Sequence, residues 1–306
     1  MDLKSKIILI YGPTASGKSA FAIKLAQKVN GEIINADSMQ VYKELKILSA
    51  RPFKKEYNKI KHHLYGFQNA KKKFSTGDWL KLAKQKIQVI KKRKKTPILV
   101  GGTGLYFKAL TEGLVDIPNI PIKIRENIRS LHKRIGKKKF FLKLVNIDPL
   151  VKNHLNSSDT QRMIRAFEVK SYTKKSIYDW FKTTQPNFEK KEFFKIYVDY
   201  PRNELVSRIH NRAKNMIENG AISEVKKFTS LKVPKSKTAS KAIGISEIRS
   251  YLSKKITKTD LIEQLSIKTR QYAKRQATWA RGNMSDWNKI KPNSLNKFLK
   301  KNLYIS

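Results

Sequence analysis

The sequence predicts an α/β fold: a P-loop NTPase-like parallel sheet flanked by helices, with an inserted all-helical subdomain. Three observations carry this. Residues 12–19, Gly-Pro-Thr-Ala-Ser-Gly-Lys-Ser, fit the G-x-x-x-x-G-K-[ST] pattern and follow the apolar run Ile7, Ile8, Leu9, Ile10, so the chain reads strand, loop, helix. Two more apolar runs, at 96–100 and 193–199, have the length and bounding of buried strands. Between them the texture changes, and prolines at 118, 121, 149 and 186 bracket helical segments rich in Lys and Arg. The expected division is residues 1–116 and 192–306 for the core, with basic C-terminal helices, and 117–191 for the inserted helical subdomain.

In a loop of this kind the glycines let the backbone turn tightly and aim its N–H groups inward. Gly12, Pro13, Thr14, Ala15, Ser16 and Gly17 are expected to cradle a phosphate or diphosphate, with Lys18 reaching terminal oxygens and Ser19 offering its hydroxyl to Mg²⁺. The helix expected from residue 20 adds the positive end of its dipole. An ordinary Gly-rich turn does not account for Lys18 and Ser19 together.

The first helix is expected to end near Val29, stopped by Gly31. A second strand follows within 32–40, its end carrying Asp37. Ligands gather outside the carboxyl ends of strands in open α/β sheets, which brings Asp37 near the phosphate loop as a general base. An equal reading makes it the cap of the following turn. Residues 43–73 are irregular and basic; the adjacent His62 and His63 point in different directions on any regular element, which suits a loop entering a strand better than a metal site. Leu80, Leu82, Ala83, Ile87 and Ile90 predict an amphipathic helix over 77–94 that covers the sheet. The strand at 96–100 runs into Gly101-Gly102-Thr103-Gly104 and a helix over 105–114. Switch-type NTPases usually carry an acidic Mg²⁺ residue at this strand end. Its absence from the sequence leaves a metal to Ser19, diphosphate oxygens and Asp37, and favours a transferase with diphosphate as leaving group over an ATP-driven machine.

Within the inserted segment, helices are expected over 122–131 and 160–172. Gln161 and Arg165, four apart, share a face beside Arg162; that face suits a nucleic-acid backbone and, equally, a solvated basic surface. A helix over 202–219 sets Arg208 and Arg212 four apart. A helix over 261–281 alternates cations with aromatics; Tyr272, Gln276 and Trp279 fall on one face, read as core packing, and Lys274 and Arg275 lie beside it. Arg208, Arg212, Lys274 and Arg275 are candidate diphosphate or RNA contacts.

Composition narrows the partners. Lys and Arg number 67 against 23 Asp and Glu, a formal net charge of +44, which favours a polyanion through counterion release. A lysine-biased genome raises the same count, since the chain is also rich in Ile and Asn. With no cysteine, disulfides, thiolate catalysis and Cys-ligated zinc are excluded. No apolar run approaches the roughly 18–20 residues of a membrane span, and Met1 to Lys6 lead straight into a strand, so a cytoplasmic protein without membrane contact is expected, as a monomer.

Five stretches taken together resemble the tRNA dimethylallyltransferases, in the family's order and across nearly the whole chain. They are residues 12–19; Ile-Asn-Ala-Asp-Ser-Met-Gln-Val-Tyr at 34–42; Pro-Ile-Leu-Val-Gly-Gly-Thr-Gly-Leu-Tyr at 97–106; Asp-Thr-Gln-Arg at 159–162; and Thr-Arg-Gln-Tyr-Ala-Lys-Arg-Gln-Ala-Thr-Trp at 269–279. The resemblance implies prenyl transfer from dimethylallyl diphosphate to the exocyclic amine of the adenosine just 3′ of the tRNA anticodon, with Mg²⁺ and Lys18 neutralising the leaving group. It implies Asp37 as base and Thr103 beside the reacting adenosine. It implies contacts to the anticodon stem-loop from Asp37, Ser38, Met39, Gln40, Arg125, Gln161, Arg162, Met163, Ile164 and Arg165. The chain departs from the family pattern at 46–52, at Asn156-Ser157-Ser158 and at Ile245-Ser246. Three other functions fit parts of the pattern: a small-molecule kinase, a phosphate-loop protein that only binds RNA, and a prenyltransferase of free adenine nucleotides.

Overall fold

The computed structural model describes residues 3, 5–294, 297 and 298 of the 306. They divide into two compact units: residues 1–111 with 188–306, and residues 112–187.

In the first unit, apolar runs with few polar interruptions become strands buried on both faces: β1 (Ile7–Tyr11), β2 (Gly31–Asn35), β4 (Thr96–Gly101) and β5 (Phe193–Val198). The short edges are β3 (His62–His63) and β6 (Asn288–Ile290). All pairings are parallel, in the order β3-β2-β4-β1-β5-β6. The period-2 alternation of β1 decides what each face holds. Ile7, Leu9 and Tyr11 meet Trp79, Ala83, Ile87 and Ile90 of α2 (Thr76–Lys92) and Phe107 and Leu110 of α3 (Gly104–Glu112). Ile8 and Ile10 meet Phe21, Ala22 and Leu25 of α1 (Lys18–Lys28). Because β1 lies between β4 and β5, its neighbours lead away in opposite directions, and a crevice opens at its carboxyl end. A third apolar cluster joins Val41, Tyr42, Leu45 and Leu48 to α7 (Arg202–Glu218), α8 (Ala221–Ser230), α9 (Ile245–Leu252) and α10 (Lys258–Asn283).

The second unit is helical: α4 (Ile122–Ile147), α5 (Thr160–Thr173) and α6 (Ile177–Lys182) close over Ile128, Phe140, Leu144, Met163, Phe167 and Ile177. Inside α4, Gly136 has φ 74° and ψ 172°, so two helical stretches meet at a kink that an L side chain would resist.

Three expectations change. The second strand stops at Asn35, short of Asp37, because the Asn35 side chain accepts from the Asp37 N–H at 2.9 Å and donates to the Leu64 carbonyl at 3.0 Å, replacing the ladder with a turn. His62 and His63 form the edge strand itself rather than its approach. The helix expected over 122–131 continues past the Gly136 kink to Ile147. No helix among the described residues is long and apolar enough to cross a membrane.

Candidate active site

Strand β1 delivers the chain to Gly12, and the backbone then turns through left-handed conformations at Ala15 (φ 64°) and Gly17 (φ 81°) before α1 begins at Lys18. No side chain caps α1, so its first N–H groups stay open toward the loop. Ser16 is buried, and its Oγ has no hydrogen-bond partner among the described residues. Lys18 Nζ donates to the Pro13 carbonyl at 3.1 Å, folding the ammonium over the loop.

Helix α7 brings two guanidiniums to this loop from far along the chain. Arg208 Nε donates to the Ala15 carbonyl at 2.9 Å, while its guanidinium lies over the Tyr200 ring at 5.2 Å. Arg212 stands one turn further on. Burial pushes the Lys18 ammonium down to about 8, against the pull of the Asp37 carboxylate and with the Arg212 charge adding to the fall. Burial likewise pushes Arg212 down to about 10, with Asp37 opposing and Arg208 adding. Two desolvated cations facing one carboxylate form a site short of negative charge.

Two cavities meet at Arg212. One, about 780 Å³, is lined by Ala15, Ser16, Lys18, Ser19, Arg208 and Arg212 together with Lys46 and Arg51. The other, about 280 Å³, holds Thr14, Asp37, Ser38, Arg212 and Tyr272 among apolar Met39, Leu48, Ile209, Met216, Ile243 and Leu265. The first suits an anion. The second suits a small apolar group beside a carboxylate.

Asp37 Oδ1 accepts from the Met39 N–H at 2.9 Å and from the Gln40 N–H at 3.4 Å, so the carboxylate does cap its turn while lining the small cavity. Thr103 accepts from the Ser38 N–H at 2.9 Å and donates to Ser38 Oγ at 3.2 Å. The Gly101-Gly102-Thr103-Gly104 turn is pressed against other chain segments: a Cβ at Gly101 would run into the Ala36 carbonyl, one at Gly102 into Gln276 and one at Gly104 into the Trp279 ring. Gln40 donates to the Ser49 and Ala50 carbonyls at 3.0 and 3.1 Å, closing the loop that walls the cavity. Tyr272 lines the same cavity, and burial, helped by the Asp37 charge, raises its phenol well above the usual range.

The candidate residues of α10 separate. Arg275 lies in the small cavity with its guanidinium 5.7 Å from the Tyr272 ring. Lys274 lines a different cavity of about 960 Å³, with Arg202, Arg270 and Arg281. Gln276, expected as core packing, is buried but fully engaged: Oε1 accepts from the Thr14 N–H at 2.8 Å and Nε2 donates to the Gly102 carbonyl at 2.8 Å. The signal in the sequence was a glutamine on an otherwise apolar helix face.

In the helical unit, α5 exposes Gln161 and Arg162 and half-exposes Arg165. The side chains of Met163 and Ile164, expected at the RNA, pack into the core of that unit. Glu168, buried, gathers Arg125 at 3.9 Å, Arg129 at 3.5 Å and Arg165 at 3.8 Å around one carboxylate. No group of three or more His, Cys, Asp or Glu that could hold a metal occurs among the described residues.

Comparison with known proteins bears on the family. The model of the family "IPP transferase" matches residues 40–283. A tRNA dimethylallyltransferase of Pelagibacter ubique is 56% identical over 98% of this chain and 96% of its own length. One of Agrobacterium fabrum is 42% identical over 95% and 99%. Among solved structures, a tRNA delta(2)-isopentenylpyrophosphate transferase of Staphylococcus epidermidis aligns with TM-score 0.68 and 29% identity, covering 96% of both chains. A eukaryotic dimethylallyltransferase acting on tRNA aligns with TM-score 0.83 and 28% identity over 96% of this chain and 76% of that one. A family model matched over residues 40–283 and 42–56% identity, over nearly the full length, to enzymes of one name make this chain a member of the IPP transferase family, the tRNA dimethylallyltransferases.

Proposed function

We propose that this protein transfers a dimethylallyl group from dimethylallyl diphosphate to the exocyclic N6 amine of the adenosine 3′-adjacent to the anticodon in tRNA, releasing diphosphate, and that it works as a cytoplasmic monomer with Mg²⁺. The observation that carries this reading is the small cavity in which Thr14 of the phosphate loop, the Asp37 carboxylate and the Arg212 guanidinium meet apolar side chains. A diphosphate ester needs an anion cradle joined to an apolar pocket, and an amine nucleophile needs a carboxylate at their junction.

In this mechanism the diphosphate rests on the open N–H groups of the loop, with Lys18, Arg208 and Arg212 compensating its charge. The N6 lone pair attacks the first carbon of the prenyl group, the carbon–oxygen bond breaks, and the electron pair leaves on the diphosphate. Charge therefore grows where the cations already stand, so their attraction is stronger in the transition state than in the ground state. The proton released from N6 passes to Asp37. Its Oδ1 is occupied by the Met39 and Gln40 N–H groups, and Oδ2 is the oxygen offered to that proton. Ser19, half-buried at the first turn of α1, is the residue that would hold Mg²⁺, through its hydroxyl. Bound there, the ion would withdraw electron density from the leaving group.

Adenine in a stacked loop cannot reach Asp37, so the nucleotide must be flipped out of the stack. Gln161 and Arg162, exposed along α5, with half-buried Arg165 and Arg125 are the side chains we assign to the RNA backbone. The test is incubation with labelled dimethylallyl diphosphate, Mg²⁺ and an unmodified anticodon stem-loop, with AMP and ATP as controls and a chelator arm. Label in the RNA that disappears with chelation is expected. Label in AMP, or ATP turnover without transfer, would overturn the assignment.

A further inference from the structure

We propose that Gln276 is a positioning residue for the transfer reaction, a strut that locks the diphosphate side of the site to the adenosine side. The proposal rests on the function given above and goes beyond it.

Gln276 sits two-thirds of the way along α10, with 5% of its surface exposed. Its side chain spans the two loops that leave the paired ends of β1 and β4, beyond the last register pair Tyr11 and Gly101. Oε1 takes the Thr14 N–H of the phosphate loop, and Nε2 gives its proton to the Gly102 carbonyl, each at 2.8 Å. The main chain of the same residue is also held, since the Tyr11 hydroxyl, at the end of β1, donates to the Gln276 carbonyl at 2.9 Å. The strut is therefore anchored at its base and engaged at both ends. From Gly102 the path continues to Thr103, whose hydroxyl fixes Ser38, and from there to Asp37.

The chemistry of the bridge selects an amide. One end must accept from a backbone N–H and the other must donate to a backbone C=O within a single planar group, which a carboxylate, thioether or alkyl side chain cannot do. A Cβ at Gly102 would also strike Nε2, so the turn leaves room for the amide and nothing larger. The engagement further defines the cradle: the Thr14 N–H is committed to Gln276 and the Ser16 N–H to the Pro13 carbonyl at 3.3 Å, which leaves the amides of Ala15, Gly17 and the first turn of α1 to meet the anion. Neither Gln276 nor Gly102 lines the small cavity. The strut acts through Thr14 and Thr103 without touching substrate.

Losing the bridge frees both loops to shift by part of an ångström, and misplacement of that order costs about tenfold to a hundredfold in rate. The experiment compares wild type with Gln276→Glu, which keeps the acceptor and loses the donor, and Gln276→Leu, which loses both at similar volume. Single-turnover transfer rate, KM for dimethylallyl diphosphate and binding of the stem-loop are measured on each. The expected result is a rate loss of about tenfold or more in both variants, a raised diphosphate KM and stem-loop affinity within about threefold of wild type. A double-mutant cycle with Thr103→Ala should be non-additive, the second change costing much less once the first is made. A melting temperature that falls while rate and KM stay within twofold, or full multiplicative additivity with Thr103→Ala, would overturn the proposal. Should the leucine variant fail to fold, the nearly isosteric glutamate variant carries the same comparison. Inactive wild type would instead refute the function on which the proposal stands.

Discussion

Lys18 gives the sharpest pH test. Its ammonium is pushed down to about 8 by burial, so in the free protein about nine-tenths of it carries a proton at pH 7 and about one-tenth at pH 9. If the cationic form is the one that holds the diphosphate, KM for dimethylallyl diphosphate should rise about tenfold between those two pH values. Arg212, pushed down to about 10, stays charged over most of that range and sets the floor to which binding falls. The sign for stability is opposite. A lysine whose folded pKa lies below its unfolded value of 10.5 leaves the folded chain with fewer bound protons between pH 8 and 10.5, so this group adds stability as the pH climbs through that window. Bound diphosphate restores the proton, and its thermal stabilisation of the protein should therefore shrink above pH 8. The assay is initial-rate kinetics across pH 6.5–9.5 in matched ionic strength, with Lys18→Arg as control. That variant should have a higher KM but a flat profile over the same range. A flat profile in wild type, or the same rise in the arginine variant, would refute the assignment of this titration to Lys18.

Other consequences are as direct. Asp37→Asn keeps the Oδ1 acceptor that the Met39 N–H uses but cannot take a proton; the transfer rate should fall about 10²- to 10⁴-fold with an unchanged melting temperature, whereas a carboxylate that only caps its turn would leave the rate intact. Glu168→Gln removes the one charge shared by Arg125, Arg129 and Arg165. Because these arginines reach solvent, the loss in urea unfolding should be about 1–2 kcal/mol, below the cost for a fully buried pair, and KM for tRNA should rise while KM for the diphosphate holds. Gly101→Ala drives a methyl group into the Ala36 carbonyl between β2 and β4 and should cost about 1–3 kcal/mol in thermal or chemical denaturation.

What could be read in advance followed from local rules. The run Ile7 to Ile10 and the Gly-Lys-Ser that follows are strand, turn and helix start whatever surrounds them, and Ile98, Leu99 and Val100 announce a buried strand by their continuity. Arg208 and Arg212 were legible as neighbours on a helix, though not as partners of the phosphate loop, because their meeting with Ala15 spans most of the chain. The second strand is shorter than its apolar pattern suggests: Asn35 favours a strand by context, yet its amide competes for the backbone of Asp37 and Leu64. Gln276 shows the limit most clearly. Helical periodicity reports that a position is buried, and the two main-chain groups that use its amide lie at residues 14 and 102, where no spacing rule connects them. Met163 and Ile164 show the reverse: a motif shared as a block carried two core residues along with the three that face outward.

The account stands most directly on where the prenyl group goes. Wild-type protein, dimethylallyl diphosphate and Mg²⁺ should be incubated with an unmodified anticodon stem-loop, and the RNA digested and sequenced by mass spectrometry. The predicted result is one five-carbon addition on the base of the adenosine 3′-adjacent to the anticodon, absent when that adenosine is replaced by guanosine. Addition at another nucleotide, or transfer to free AMP with the stem-loop untouched, would contradict it.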